Sequence, residues 1–212
     1  MLRLVEHTRP QARKDRVPHS FAIVIVDMQC RPNECNMAYR HGSFDDGIGR
    51  LCHLLKLARK FDIPVILVES EESGKRTLAP ILARIPFRTK AVIKGGTVYS
   101  AFGEPSFQPL LTDLGIKTLV LCGYHRDVCV RATANDALAL GYSLITSDHL
   151  MFGSGGDLLF HIYRGLPPWH FYRQKTEYYD TFRGVLAAIG QRVFPNFNNH
   201  QDVTDSCVSK VA

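Results

Sequence analysis

The sequence predicts an α/β domain built around a parallel sheet. Two observations carry that expectation. Short apolar runs rich in β-branched residues, FAIVIV at 21–26 first among them, read as strands buried on both faces. Between them stand segments with apolar residues at helical spacing, joined by short links and without internal repeats. A length of 212 residues suffices for one domain with a substantial core and falls short of two typical ones.

After FAIVIV and a polar loop, DDGIGRLCHLLKLARKF (45–61) carries Ile48, Leu51, Leu54, Leu55 and Leu57 at helical spacing. IPVILVES (63–70) is the second strand, with its proline at the start, where a missing N–H is tolerated. A short helix is expected over 76–85 and a third strand at TKAVIK (89–94). PSFQPLLTDLG (105–115) reads as a helix closed by Gly115. IKTLVLCG (116–123) is the fourth strand. The next helix spans 128–140, with Asp127 as N-cap and Gly141 as its stop. YSLITSD (142–148) is the fifth strand. Residues 151–169 read as a loop-rich insertion with one short helix, and Met151, Phe152, Leu166 and Trp169 look exposed there. HFYRQKTEYYDTF (170–182) holds a sixth strand and FRGVLAAIGQRV (182–193) a last helix. The chain thus divides into a basic tail at 1–17, one domain at 18–192 and a polar tail at 193–212.

A hydrophobic share of 45% and a charged share of 22% are ordinary for a soluble globular protein. No apolar run approaches the ~20 residues that span a bilayer. Residues 1–17 lack the apolar core of a signal peptide, so a cytoplasmic chain without a membrane partner is expected. That tail holds five Lys/Arg against two acids and supplies half of the net charge of +6. The rest is mildly basic, with neither a basic stripe nor a nucleic-acid motif, so no nucleic-acid partner is expected. Cysteines at 30, 35, 52, 122, 129 and 207 are irregularly spaced, which favours reduced thiols over a disulfide framework. A zinc site from Cys30, Cys35 and His41 lacks a CxxC pair and a second half, so no metal is expected.

In open parallel sheets, ligands bind beyond the carboxyl ends of the strands. The first strand leads into Asp27, the second ends at Glu69 and the third at Lys94. The fourth leads through GYHRDV to Cys129, one residue into the next helix. A carboxylate, an ammonium and a thiol are thereby delivered to one edge from separate parts of the chain. A helix N-terminus and Lys94 favour a thiolate at Cys129, and Asp27 can take and return its proton. Free N–H groups at the same helix start can hold an oxyanion. Those are the parts of acyl transfer through a thioester. Each residue alone has an ordinary structural role open to it, as loop cap, solvated cation or packed thiol.

IVIVDMQ (23–29), VIKGGTVYSAF (92–102) and LVLCGYHRDVCVRATANDALALGY (119–142) resemble, in order, three signature blocks of the isochorismatase-like cysteine hydrolases. That superfamily includes nicotinamidases and N-carbamoylsarcosine amidase. The resemblance implies a three-layer Rossmann-like fold with a six-stranded, mostly parallel sheet and helices on both faces. It implies a triad of Asp27, Lys94 and Cys129 and a cis peptide between Tyr124 and His125. It implies an oxyanion hole from the N–H groups of His125 and Cys129, with Phe102 and Tyr124 in the substrate pocket. It also implies a homo-oligomer acting on a small molecule. Nicotinamidases carry metal-binding histidines after the second strand; here LVESEESGKRTLAP (67–80) has none, and no histidine falls between His53 and His125. Neither a metal, another cofactor, nor nicotinamidase activity is expected. Members that cleave a vinyl ether lack the cysteine, so Cys129 argues against that chemistry.

The expected activity is hydrolysis of a C–N bond in a small amide or carbamoyl compound through a thioester on Cys129, with Asp27 as general acid and base. An inactive or repurposed member acting in binding or assembly remains the alternative. A flavodoxin-like nucleotide binder is disfavoured, because the first strand leads into DMQCRPNEC and not into a Gly-rich phosphate loop.

Overall fold

The computed structural model describes residues 19–34, 37–87, 89–95, 98–154 and 168–194. In chain order the strands are β1 (Phe21–Val26), β2 (Met37–Ala38), β3 (Val65–Ser70), β4 (Lys90–Lys94), β5 (Thr118–Tyr124), β6 (Ser143–Thr146), β7 (Met151–Ser154) and β8 (Glu177–Tyr178). The helices are α1 (Phe44–Phe61), α2 (Ala79–Leu82), α3 (Phe107–Asp113), α4 (Arg131–Ala139), α5 (Pro168–Lys175) and α6 (Phe182–Val193). A π-turn at Arg126–Val130 leads into α4.

Six parallel strands run β4–β3–β1–β5–β6–β8 across the sheet. The chain moves outward from β1 through β3 to β4, then returns beside β1 as β5 and moves the other way. Strand order therefore reverses between β1 and β5, where parallel sheets open a crevice. Val26 stands level with Val68 of β3 and with Gly123 of β5, so Asp27 leaves the sheet at that reversal.

Alternation along β1 divides the core. Phe21, Ile23 and Ile25 pack with Leu51, Leu54, Leu55 and Leu57 of α1 and with Val185 and Ile189 of α6. Ala22, Val24 and Val26 pack with Phe107 and Leu111 of α3 and Ala134 and Ala137 of α4. Both faces are covered, which is why β1 reads as an unbroken apolar run. Helix α1 starts at Ser43, whose hydroxyl accepts from the Asp46 N–H while Asp46 returns a bond to the Ser43 N–H, a reciprocal capping box. Gly115 ends α3 with φ +68°, the left-handed backbone that glycine enters without a Cβ penalty.

The structure corrects four expectations. Met151 and Phe152 are buried, one in each half of the core, because β7 pairs with the end of β5 and with β2. They offer no exposed contact; Leu166 and the Trp169 side chain lie outside the described residues. Asp127 is not the N-cap: the helical turn begins two residues earlier than expected, His125 takes the cap position, and Asp127 pairs with Arg126 at 3.1 Å. The short helix expected over 76–85 contracts to α2. Cys30 is disulfide-bonded, while Cys52, Cys122 and Cys129 are free. The 1–17 tail and residues 195–212 fall outside the described residues.

Candidate active site

Asp27 sits at φ +51°, a left-handed conformation that Asp adopts more readily than most residues. Its N–H donates to Val68 O at 2.8 Å, and its carbonyl accepts from the Gln29 N–H at 2.9 Å. The turn is fixed from the neighbouring strand as well. The Gln29 carboxamide accepts from the Ser70 N–H at 2.7 Å and donates to Ser70 O at 3.0 Å, Lys75 O at 2.5 Å and the Ser73 hydroxyl. The Leu78 N–H closes the arrangement on Met28 O.

Lys94 closes β4 and turns inward, 2% exposed. Its three ammonium hydrogens face three partners: Asp27 Oδ2 at 2.9 Å, Val98 O at 3.1 Å and Cys129 Sγ at 3.5 Å. The strand-end carboxylate Glu69 points to the opposite face of the sheet. It accepts from the Thr77 N–H at 2.7 Å, the Thr77 hydroxyl at 2.8 Å and Arg76 Nε at 2.8 Å, so it fastens the loop after β3.

Cys129 lies in the π-turn between β5 and α4. The Tyr124–His125 peptide just before that turn is cis. The His125 carbonyl accepts from the N–H groups of Val128 and Val130. The Thr133 hydroxyl donates to Cys129 O at 2.8 Å and accepts from the Ala101 N–H at 3.0 Å. One buried threonine thus ties the Cys129 turn to the segment that follows Lys94. Phe102 is placed in an aromatic cluster, with ring centroids 4.8 Å from Phe107 and 5.6 Å from Tyr142. Tyr124 lies against the His125 ring at 4.5 Å.

The electrostatics correct the expectation of a thiol poised as thiolate. Burial, and next the Asp27 carboxylate, push the Cys129 thiol up to about 12, against the opposing pull of Lys94. Burial also raises Asp27 above the usual carboxylate range, although Lys94 works against it. The two groups compete for one compensating cation, and desolvation decides the outcome. The resting arrangement is a neutral thiol beside a carboxylate–ammonium pair.

Asp27, Lys94 and Cys129 come together as the sequence places them, and Glu69 stands apart. Gln29, Thr133 and the Val98 carbonyl were not singled out from the sequence. The DMQ tripeptide and the i, i+4 spacing of Cys129 and Thr133 were the available signals. Among the described residues, no group of three or more His, Cys, Asp and Glu side chains is arranged to hold a metal ion. His41, considered with Cys30 and Cys35, stacks on His149 at 4.0 Å.

Residues 21–148 match the isochorismatase domain family. Curated relatives include isochorismatase domain-containing protein 2 of Homo sapiens, 26% identical over 87% of this chain and 83% of the relative. The Xenopus laevis protein of that name is 25% identical over 76% of this chain and 74% of the relative. Among solved structures, an octameric Escherichia coli hydrolase of unknown specificity shares 21% identity over 96% of this chain and all of its own, with a TM-score of 0.64. A Caenorhabditis elegans protein described as MAR1 ribonuclease shares 20% identity over 92% and 93%, with a TM-score of 0.67. N-carbamoylsarcosine amidase from Thermoplasma acidophilum shares 23% identity over 74% and 92%, with a TM-score of 0.55. At these identities the solved structures bear on the fold, and the matched segment holds every member of the Asp27–Lys94–Cys129 cluster. The chain belongs to the isochorismatase family.

Proposed function

We propose that the protein is a cysteine hydrolase that cleaves a C–N bond of a small amide or carbamoyl compound. The convergence of Asp27 Oδ2, Lys94 Nζ and Cys129 Sγ from three separate elements carries this reading. A structural neighbour described as a cysteine hydrolase, and an amidase among the neighbours, support it.

The Cys129 sulfur attacks the substrate carbonyl while its proton passes to Asp27. The N–H groups of His125 and Cys129 hold the resulting oxyanion. Collapse of the tetrahedral intermediate breaks the C–N bond, and Asp27 gives the proton to the departing nitrogen. Water then attacks the thioester, with Asp27 taking its proton, and the acid leaves as the thiol is restored. Lys94 keeps the carboxylate oriented and offsets negative charge at sulfur. Tyr124 and Phe102 are assigned to the substrate side, Tyr124 through its place beside the oxyanion donors. The substrate is a small molecule, and the fold's octameric neighbour supports a homo-oligomer.

The test is an ammonia-release screen of amides, ureas and carbamates, with an RNA oligonucleotide included because one structural neighbour is described as a ribonuclease. Turnover of an amide that vanishes in Cys129→Ala is the expected result. RNA cleavage that persists in Cys129→Ala would overturn it. Binding of a small amide without turnover in the wild-type chain would favour the non-catalytic alternative.

A further inference from the structure

The π-turn that presents Cys129 is braced from outside the segment that matches the family. Within it, the Val130 N–H donates to His125 O, five residues back, at 3.1 Å. The Arg131 N–H donates to Val128 O. An α-helix would hand the Val130 N–H to Arg126 O. Here that N–H goes to His125 O, so the Arg126 carbonyl loses its α-helical donor and offers a lone pair to a donor from another element. Tyr172 of α5 supplies it: the phenol donates to Arg126 O at 2.6 Å. Tyr172 is fully buried and its ring belongs to the core beneath α3 and α4. Its neighbour Phe171 faces the Arg131 guanidinium at 5.0 Å. Helix α5 therefore grips both ends of the turn, although it lies beyond the matched residues 21–148.

We infer that Tyr172 is a positioning residue, whose phenol holds the Arg126 carbonyl that the π-turn denies its α-helical donor, and so fixes how Cys129 is rotated about the helix axis. The competing conformation is an α-turn, in which Val130 donates to Arg126 O. Removing one residue from the turn rotates the segment by about 100° and shifts it by about 1.5 Å. Thr133 anchors the downstream side through Cys129 O, so the change falls on residues 126–129. Sγ would then leave Lys94 Nζ, now 3.5 Å away, and with it the carboxylate that accepts the thiol proton. Burial raises Tyr172 well above the usual phenol range, so it stays a donor throughout the working pH range.

The kinetic consequence rests on the thiol chemistry proposed above; the consequence for the thiol's environment does not. Tyr172→Phe in the full chain keeps the ring and its packing while deleting the donor. Cys129 labelling by limiting iodoacetamide, mapped by mass spectrometry across a pH series, reads the thiol directly, with Cys52 and Cys122 as internal references. The expected result is about tenfold slower labelling of Cys129 and a profile displaced to higher pH, the size of one lost hydrogen bond. Phe171→Leu, which loosens the other grip, should slow labelling in the same direction by less. Where the wild type turns over an amide, Tyr172→Phe should lower kcat and leave KM within about twofold. A generally loosened turn would instead expose the thiol, so labelling at the wild-type rate or faster overturns the inference. Failure of the wild type to hydrolyse any amide ends the functional reading and leaves the labelling result standing.

Discussion

At the residue scale, the acid limb of activity is the sharpest consequence of the site. Asp27 works as a base only when ionised, and its pKa is raised in the fold. On the proposed mechanism, activity should be absent at low pH and rise as pH climbs through that raised value. The limb of kcat/KM should lie above the ordinary carboxylate value of about 3.9. A pH–rate profile whose acid limb falls at or below that value would contradict the burial argument. Cys129→Ala and Asp27→Asn should each remove turnover, since one lacks the nucleophile and the other cannot take its proton. Lys94→Ala should cost at least 10²-fold, because it leaves the carboxylate buried without its cation and the sulfur without an opposing charge. The double variant Asp27→Asn, Lys94→Ala should be little worse than Asp27→Asn alone, as measured in the same assay, because the groups act as a unit. The meeting of Asp27, Lys94 and Cys129 was legible in the sequence because Asp27 follows one strand, Lys94 ends another and Cys129 opens the helix after a third. The thiol's electrostatics were not legible, because they depend on how deeply Asp27 and Cys129 are buried together, and that is set by elements far apart in the chain.

At the element scale, the approach of β5 to β1 leaves no room for a side chain at the crevice. Gly123 has φ +122°, and a Cβ there would run into the Val26 backbone. Gly123→Ala should destabilise the protein by about 3 kcal/mol or more, because both backbone conformation and contact oppose it and rigid strands cannot yield. Chemical denaturation against the wild type measures this; a loss under 1 kcal/mol would show that the strands can part. Ser43→Ala deletes the capping box of α1 and should cost about 1 kcal/mol in the same measurement, without altering activity. The strands and long helices were readable from apolar runs and helical spacing, down to a sixth strand within 170–182. The 126–130 turn was not, because a π-turn has no composition of its own, and the bonds that Thr133 and Tyr172 make to it come from outside the turn. Residues 151–152 misled for a related reason. Met151 and Phe152 stand in a stretch with insertion-like glycines, yet pairing with the last two residues of β5 draws them into the core.

At the scale of the whole molecule, the burial of Met151 and Phe152 shifts the search for a subunit contact to β4. This strand ends the sheet path among the described residues, so one side of its backbone has no neighbouring strand there. Sheet edges are ordinarily protected by charge, proline or a covering loop. Of the two lysines on β4, Lys94 is turned inward beside Asp27 and Cys129 and does not guard the edge. Phe87 is 69% exposed just ahead of the strand, Ile93 is 50% exposed on it, and Tyr99 is 61% exposed beyond it. Apolar side chains beside an open edge are the kind of surface that a second copy covers. Light scattering on the full chain at micromolar concentration should therefore give a mass that is a multiple of 23.9 kDa. Phe87→Glu combined with Ile93→Lys should reduce that mass, since both charges would have to be desolvated for the edge to pair. Ile93 adjoins Lys94, so an assembly on this edge also steadies the strand that carries the triad ammonium. The dissociated double variant should accordingly lose turnover on dilution where the wild type does not. A wild-type chain that scatters as a monomer, or a double variant with unchanged mass, would show that β4 is a solvent edge and that its apolar residues serve another purpose.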